Sequence, residues 1–369
     1  MATDNLSELR DLSDLHRELR AVARDVLAKA EVGTPVDWQL VTGSGWLGLE
    51  ASEDFDGADA TFAEVAVVLR EAGRAVAAGP YPAVATLSLG LLESLAPAPG
   101  RDQLLRDTVS GDVVPIVVIG GEGDLDEVDQ PSFRVTRTEA GWQLNGEADL
   151  VLDAPVADRL LIPAVDPDEP GVIVVVALDR GIAGLDIVEQ PVVDLTRSFG
   201  RVTAADVVVP PESLWQFESG GPEALRNLHD RAALAVACDS LGLSEAAMAT
   251  TVEYVGVREQ FGRKIGSFQA VKHACADMLV QVTVGQKLVD AAVRALAADR
   301  PDAAVAVAMA KSFTGAMAVE VAGGAMQLHG GMGYTWESGI HIYLKRAILN
   351  RSLFGSPAEH REALAARLR

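Results

Sequence analysis

Apolar residues recur three and four positions apart from Leu15 to Ala23 and again from Phe62 to Ala77, which predicts that the first third of the chain is helical. Between these runs, Gly45-Trp46-Leu47-Gly48-Leu49 and Asp54-Phe55-Asp56-Gly57-Ala58 read as a turn-rich connection. Near Asp112 the pattern changes. Val113 to Ile119 and Val172 to Leu178 are β-branched runs of strand length, and Phe133 to Arg137 and Trp142 to Gly146 alternate around a predicted hairpin turn at Glu139-Ala140-Gly141. Pro210-Pro211 ends the block, because paired prolines cannot continue a central strand. Helical spacing then returns. One long helix is predicted over Leu225 to Val257, a second is N-capped by Gly266-Ser267 and runs past Leu288, and a third spans Ala303 to Ala322 with Gly323-Gly324 as its cap. The expected fold class is α+β and multi-domain: an N-terminal helical domain over 1–111, a middle β-domain over 112–221 and a C-terminal helical bundle over 222–369.

Composition fits this division. With 49% hydrophobic and 23% charged residues, the 369-residue chain can bury a large core. A formal net charge of -22 argues against nucleic acid or an anionic membrane as a partner, since both would repel it. Against that background, Arg258, Arg263, Lys264, Lys272 and His273 form a local positive concentration suited to a phosphate-bearing ligand, or else a solvated helix end. The two cysteines, Cys238 and Cys275, lie in apolar helical stretches, read as small core residues and have no metal-ligand spacing. The polar N-terminus and the lack of an apolar run near membrane-spanning length lead to the expectation of a cytoplasmic protein.

Two motifs carry chemistry. Val257-Arg258-Glu259-Gln260-Phe261-Gly262-Arg263-Lys264-Ile265-Gly266-Ser267-Phe268-Gln269 and Gln327-Leu328-His329-Gly330-Gly331-Met332-Gly333-Tyr334 together resemble the C-terminal signature of the acyl-CoA dehydrogenases. Either motif alone is an ordinary helix surface or turn; both together, after a β-rich block, are specific. The resemblance covers nearly the whole chain and implies that family's order: helical domain, β barrel or sandwich, four-helix bundle. It also implies FAD shared between subunits, with the neighbour's bundle gripping the ADP end. Carried over, the cofactor-binding residues are Arg258, Phe261, Gln269, Gln327, Gly330 and Gly331. Arg258 offers a charged fork to a diphosphate, and Phe261, three residues on and expected on the same helical face, offers a ring to adenosine. Gly330-Gly331 lets backbone amides approach phosphate oxygens.

The chemistry itself does not carry over. In the family a glutamate base stands in one of two positions, and gap-free counting puts Phe354 and Ala232 there. Neither accepts a proton. Asp230, two residues before Ala232, is expected to face away on a helix, and Glu337 is expected to hydrogen-bond or ion-pair with His341 one turn on. The loops that contact the flavin ring in the family become Ile119-Gly120-Gly121-Glu122-Gly123-Asp124-Leu125 and Gly146-Glu147-Ala148-Asp149-Leu150, without the aromatic and hydroxyl groups and with added carboxylates. The resemblance, together with Thr335-Trp336-Glu337 and Tyr343-Leu344-Lys345-Arg346, extends to the non-catalytic subunit of actinobacterial heteromeric steroid side-chain acyl-CoA dehydrogenases. It implies a partner subunit with the catalytic glutamate, an acyl-CoA substrate and an electron-transfer flavoprotein. The alternatives are an ordinary homotetrameric enzyme using Asp230 or Glu337 as base, and a flavin-free scaffold.

Overall fold

The structure is a computed structural model that describes residues 2–30, 34–121, 125, 128–139, 141–166, 169 and 171–367. The helical first third comprises α1 (Ala2–Leu27), α2 (Trp38–Gly43), α3 (Phe62–Arg74), α4 (Tyr81–Ala83), α5 (Leu89–Ser94) and α6 (Pro99–Ser110). A π-turn, Val84–Ser88, joins α4 to α5. α3 starts where it does because Thr61 and Glu64 form a reciprocal capping box: Thr61 Oγ1 accepts from the Ala63 amide, and the Glu64 carboxylate accepts from the Thr61 amide at 2.9 Å. The predicted turn-rich connection folds as two 3₁₀ turns, Trp46–Gly48 and Glu53–Phe55, with the Trp46 ring buried.

The β block forms one mixed sheet from β1 (Pro115–Val117), β2 (Phe133–Thr138), β3 (Gly141–Leu152), β4 (Arg159–Val165), β5 (Ile173–Asp179), β6 (Leu185–Glu189), β7 (Phe199–Val209) and β8 (Leu214–Gln216). Their order is β6-β7-β3-β2-β4-β5-β8, and β1 lies parallel to β4 outside that path. The hairpin expected around Glu139 joins β2 to β3 in antiparallel register, with Arg137 opposite Trp142; Ala140 lies outside the described residues. The strand expected over Val113 to Ile119 is shorter, Pro115–Val117, because the chain beyond it turns to bridge Gly120 to Val151.

The last third holds α7 (Gly221–Val257), a short hairpin of β9 (Glu259–Gln260) and β10 (Arg263–Lys264), then α8 (Gln269–Ala297), α9 (Ala303–His329), α10 (Ile340–Ser352) and α11 (Pro357–Ala366). Two boundaries correct the sequence reading. Gly323-Gly324 does not end α9, which continues to His329. A Cβ on Gly324 would come within 2.7 Å of Met278 Cε, so the glycine permits a close α8–α9 crossing, and Gly330, at φ +57°, is the cap. Gly266-Ser267 does not cap α8 either: Ser267 Oγ donates to the Lys264 carbonyl within a 3₁₀ turn, and Phe268 is the cap residue.

One hydrophobic core runs through all three regimes, including Trp46 and Leu69, Phe133 and Leu161, and Leu241 and Val321. α3 meets α7 at backbone contact, since a Cβ on Gly73 or Gly242 would lie about 2 Å from the Asp239 or Arg70 carbonyl oxygen. The expectation about apolar runs needs correction too. α7 and Ala303–Tyr334 are both long and apolar enough to cross a membrane, but 83% and 56% of their apolar windows are buried inside the protein, as in core helices. Cys238 is a core residue as expected, whereas Cys275 on α8 is half-buried.

Candidate functional site

The turn between α10 and α11 carries Phe354. Its backbone is left-handed at Phe354 (φ +51°) and Gly355 (φ +90°), which a bulky residue adopts only when its surroundings hold it there. They do. The buried Lys311 ammonium donates to the carbonyls of Asn350 (3.1 Å), Arg351 (3.4 Å) and Gly355 (2.6 Å), His360 Nε2 donates to the Phe354 carbonyl (2.9 Å), and the Phe354 amide donates to Gly121 O (2.9 Å). The Phe354 ring is buried and meets His229 edge-on at 5.8 Å. Burial pushes Lys311 down to about 7, His360 to about 4 and His229 to about 3, the last with help from the neighbouring cations. Sequence reading missed Lys311, although its signal is there: it and Glu320 are the charged residues of the otherwise apolar α9.

Ala232 on α7 comes to the same place. It and Phe354 both line a small cavity of about 20 Å³, with Thr86, Arg197, Asp239 and Asn350 in its wall. A polar network missed from sequence backs that wall. The fully buried Arg346 donates to Asp194 (2.8 Å), to Asp239 (3.0 Å) and to the Ala77 carbonyl (2.9 Å), tying the helical first third, the β6–β7 loop and α7 together. Arg197 and Asn350 add bonds to Asp239 at 3.0 and 2.7 Å. Such a network is structural: every buried charge in it has a partner of opposite sign.

A separate cavity of about 300 Å³ lies on the sheet side of Phe354, lined by Gly120, Gly121, Ser132, Glu147, Asp149 and His229 among others. The Gly121 amide is spent on Leu150 O (2.9 Å), and the exposed Asp149 is paired with Arg201 at 2.5 Å. Glu122, Gly123 and Asp124 lie outside the described residues. This half does not fit a flavin ring: its backbone donor is used and its rim carries carboxylates.

Asp230 and Glu337 do not join either cavity. Asp230 lines a third space of about 320 Å³, together with Asn227, His360 and Arg367, and burial raises its carboxyl to about 6. Glu337 is exposed in a turn, and the expected bond to His341 is not made; His341 instead sits edge-on to Trp336, with ring centroids 4.7 Å apart.

The six residues carried over to the flavin gather at one end of the bundle, where Tyr254, one turn before Arg258, stacks on His329 at 4.3 Å. Arg258, Phe261, Gln269, Gln327, Gly330 and Gly331 are all exposed. One expectation fails: Arg258 and Phe261 do not share a helical face. α7 ends at Val257, and Phe261 (φ +53°) and Gly262 (φ +74°) form the tight turn of the β9–β10 hairpin, leaving the Phe261 side chain 91% exposed. Arg263 stacks on Phe268 at 3.9 Å, and among the described residues Arg258, Lys264 and Lys272 have no carboxylate partner. Unpaired cations, a bare aromatic ring and a glycine turn suit the diphosphate and adenosine end of FAD.

Comparison with known proteins agrees. The family described as "Acyl-CoA dehydrogenase, C-terminal domain" matches residues 220–369. Acyl-CoA dehydrogenase FadE34 of Mycobacterium tuberculosis is 30% identical over 333 residues; the match takes in 89% of this chain but 42% of that protein, so the chain spans about two fifths of its length. Acyl-CoA dehydrogenase IpdE2 of Mycolicibacterium smegmatis is 27% identical over 340 residues, covering 92% of this chain and 90% of that one. The solved Tcur3481–Tcur3483 steroid ACAD variant superposes with a TM-score of 0.83 at 25% identity, covering 97% of this chain and 98% of that one. Residues 220–369 thus match the acyl-CoA dehydrogenase C-terminal domain, and the chain as a whole is similar to acyl-CoA dehydrogenases and has their α+β multi-domain fold.

Proposed function

We propose that this chain is one subunit of a heteromeric, FAD-dependent acyl-CoA dehydrogenase and lends the ADP-end half of a flavin site to a partner chain carrying the catalytic glutamate. One contrast carries the reading. The face bearing Arg258, Phe261 and Gly330-Gly331 is exposed, with its arginine unpaired, while both base positions hold buried apolar side chains beside a cavity of about 20 Å³. The assembled reaction is α,β-desaturation of an acyl-CoA, with the partner's glutamate removing the α-proton. FAD, when bound, supplies the acceptor for the β-hydride. Arg258 would pair with the diphosphate, Phe261 would pack the adenosine, and Gln269, Gln327 and the Gly330-Gly331 turn would complete the grip on the ADP end. The likeness to the two-chain steroid ACAD Tcur3481–Tcur3483, at 25% identity, supports a heteromer acting on a steroid side-chain CoA thioester; the assembly would be two-plus-two with half the usual number of sites. An electron-transfer flavoprotein reoxidises the complex, and the setting is cytoplasmic.

The test is Arg258→Ala in the complex. Loss of bound flavin with unchanged subunit composition supports the shared site; unchanged flavin content rejects it.

A second reading rests on Asp230, whose raised carboxyl suits a general base. It requires one flavin per chain and loss of acyl-CoA-driven bleaching in Asp230→Asn.

A further inference from the structure

Three buried carboxylates meet two buried guanidiniums behind the wall of the small cavity. Arg346 reaches both Asp194 and Asp239, and Arg197 Nη2 donates to Asp239 Oδ1 at 3.0 Å. Thr196 completes Asp194 through its amide and hydroxyl (3.0 and 2.6 Å), and Asn350 completes Asp239 (2.7 Å). The third carboxylate is Asp153, which follows β3 and is 2% exposed. Among the described residues no cation pairs with it, and its Oδ2 accepts no hydrogen bond. Asp153 precedes the 3₁₀ turn Ala154–Val156, where an aspartate ordinarily accepts from the turn's amides, but its side chain makes no such bond. Its backbone is left-handed (φ +58°), with its amide donating to the Ser198 carbonyl (2.8 Å) and its own carbonyl accepting from the Val156 amide (3.1 Å). The main chain is fastened on both sides while the carboxyl is left over. The buried Arg197 Nη1 has no partner either, so these two orphaned atoms do not meet.

Two cations for three acids leave one negative charge uncompensated, and a neutral carboxyl costs far less to bury than an ionised one. We propose that Asp153 is a proton latch: the folded chain carries it as the neutral acid, and ionising it loosens the junction where the sheet meets α7 and α10. The charged groups that act there are Arg197 and Asp194 of the β6–β7 loop, Arg346 of α10 and Asp239 of α7. The two arginines draw the Asp153 carboxyl down and burial raises it. Burial wins and holds it at about 7, against an ordinary value of 3.8. Folding therefore takes up a proton between those values. The stability given by the neutral acid is complete at low pH and declines as pH rises from about 4 to about 7, the opposite sign to that of His229 and His360.

The experiment is urea unfolding of the full chain and of Asp153→Asn at about pH 5.5 and about pH 8. Asparagine keeps the shape of the acid and cannot ionise. The ratio of the two unfolding constants, parent over variant, is expected to rise about tenfold or more between these pH values, with the variant the more stable at the higher one. Other titrating groups, His229 and His360 among them, act alike in both proteins and cancel from the ratio. Infrared difference spectra of the two folded proteins at about pH 6 give a second reading: the carboxylic-acid carbonyl stretch of one residue should be lost in the variant. A ratio that does not change with pH, or no lost carbonyl band, overturns the proposal. A variant that is the less stable at the higher pH, or does not fold, also overturns it, because the arginines would then be holding an ionised Asp153. Both readings report on this chain's folding and stand apart from flavin binding.

Discussion

Phe354 and Ala232, separated by most of the C-terminal bundle in sequence, both line one small cavity of about 20 Å³. The two positions at which the resemblance expects a catalytic glutamate thus meet at one small cavity, and both hold apolar side chains. The turn holding Phe354 is fixed by four hydrogen bonds to backbone carbonyls, three from Lys311 and one from His360.

Putting a carboxylate back is therefore expected to fail as a rescue. Phe354→Glu or Ala232→Glu places a carboxylate at a buried position without a cationic partner, and each should destabilise the chain by about 2–4 kcal/mol. Turnover of the assembled complex should not rise. Urea denaturation and an acyl-CoA-dependent dye reduction assay check both parts; a gain in turnover from either variant would show that this cavity opens to substrate.

Lys311→Met removes a buried cation and leaves three carbonyls short of a donor. A loss of about 3 kcal/mol is expected, measured by the shift in urea midpoint at constant slope. Arg346→Met strips Asp194 and Asp239 of their central partner and should cost about 3–5 kcal/mol.

Arg258→Ala and Phe261→Ala contrast with these. Both side chains are exposed, so stability should change by no more than about 0.5 kcal/mol while flavin retention by the complex falls. Equal losses of stability and flavin would place the effect in folding.

Acid should remove the stability that two buried histidines contribute, against the raised carboxyls of Glu93, Asp153 and Asp230, which favour the folded state as pH falls. His229 and His360 are held near 3 and 4, below the ordinary histidine value of 6.5. In the unfolded chain they take up protons from about pH 6.5 downward; in the folded chain they do not until pH 3–4. The stability they contribute is thus complete above pH 6.5 and is lost as pH falls through that window, at up to about 1.4 kcal/mol per pH unit for each. Denaturation at pH 7.5 and pH 5 of the parent and of His229→Phe isolates the histidine's part: the difference in stability between the two proteins should shift in favour of the variant at pH 5.

The three regimes were legible because the period of the apolar pattern changes from 3.6 to 2 and back, and Pro210-Pro211 marks a strand's end. The residue types at 232 and 354 were legible too; their meeting in one cavity was not, since it depends on how α7 crosses the turn after α10. The hairpin at Phe261 was read as helix because Arg-x-x-Phe fits helical spacing, and only the positive φ of Phe261 and Gly262 breaks it. Gly323-Gly324 was read as a cap because a glycine pair signals one locally, whereas the closeness of Met278 is a tertiary fact. Glu337 was paired with His341 on one-turn spacing, but Trp336 takes that contact.

The most direct measurement is flavin stoichiometry together with native mass, on this chain purified alone and co-purified with a family member that carries the glutamate. Flavin in the mixed complex alone, at one per pair of unlike chains, is the expected result. One flavin per chain in this protein by itself would contradict the account.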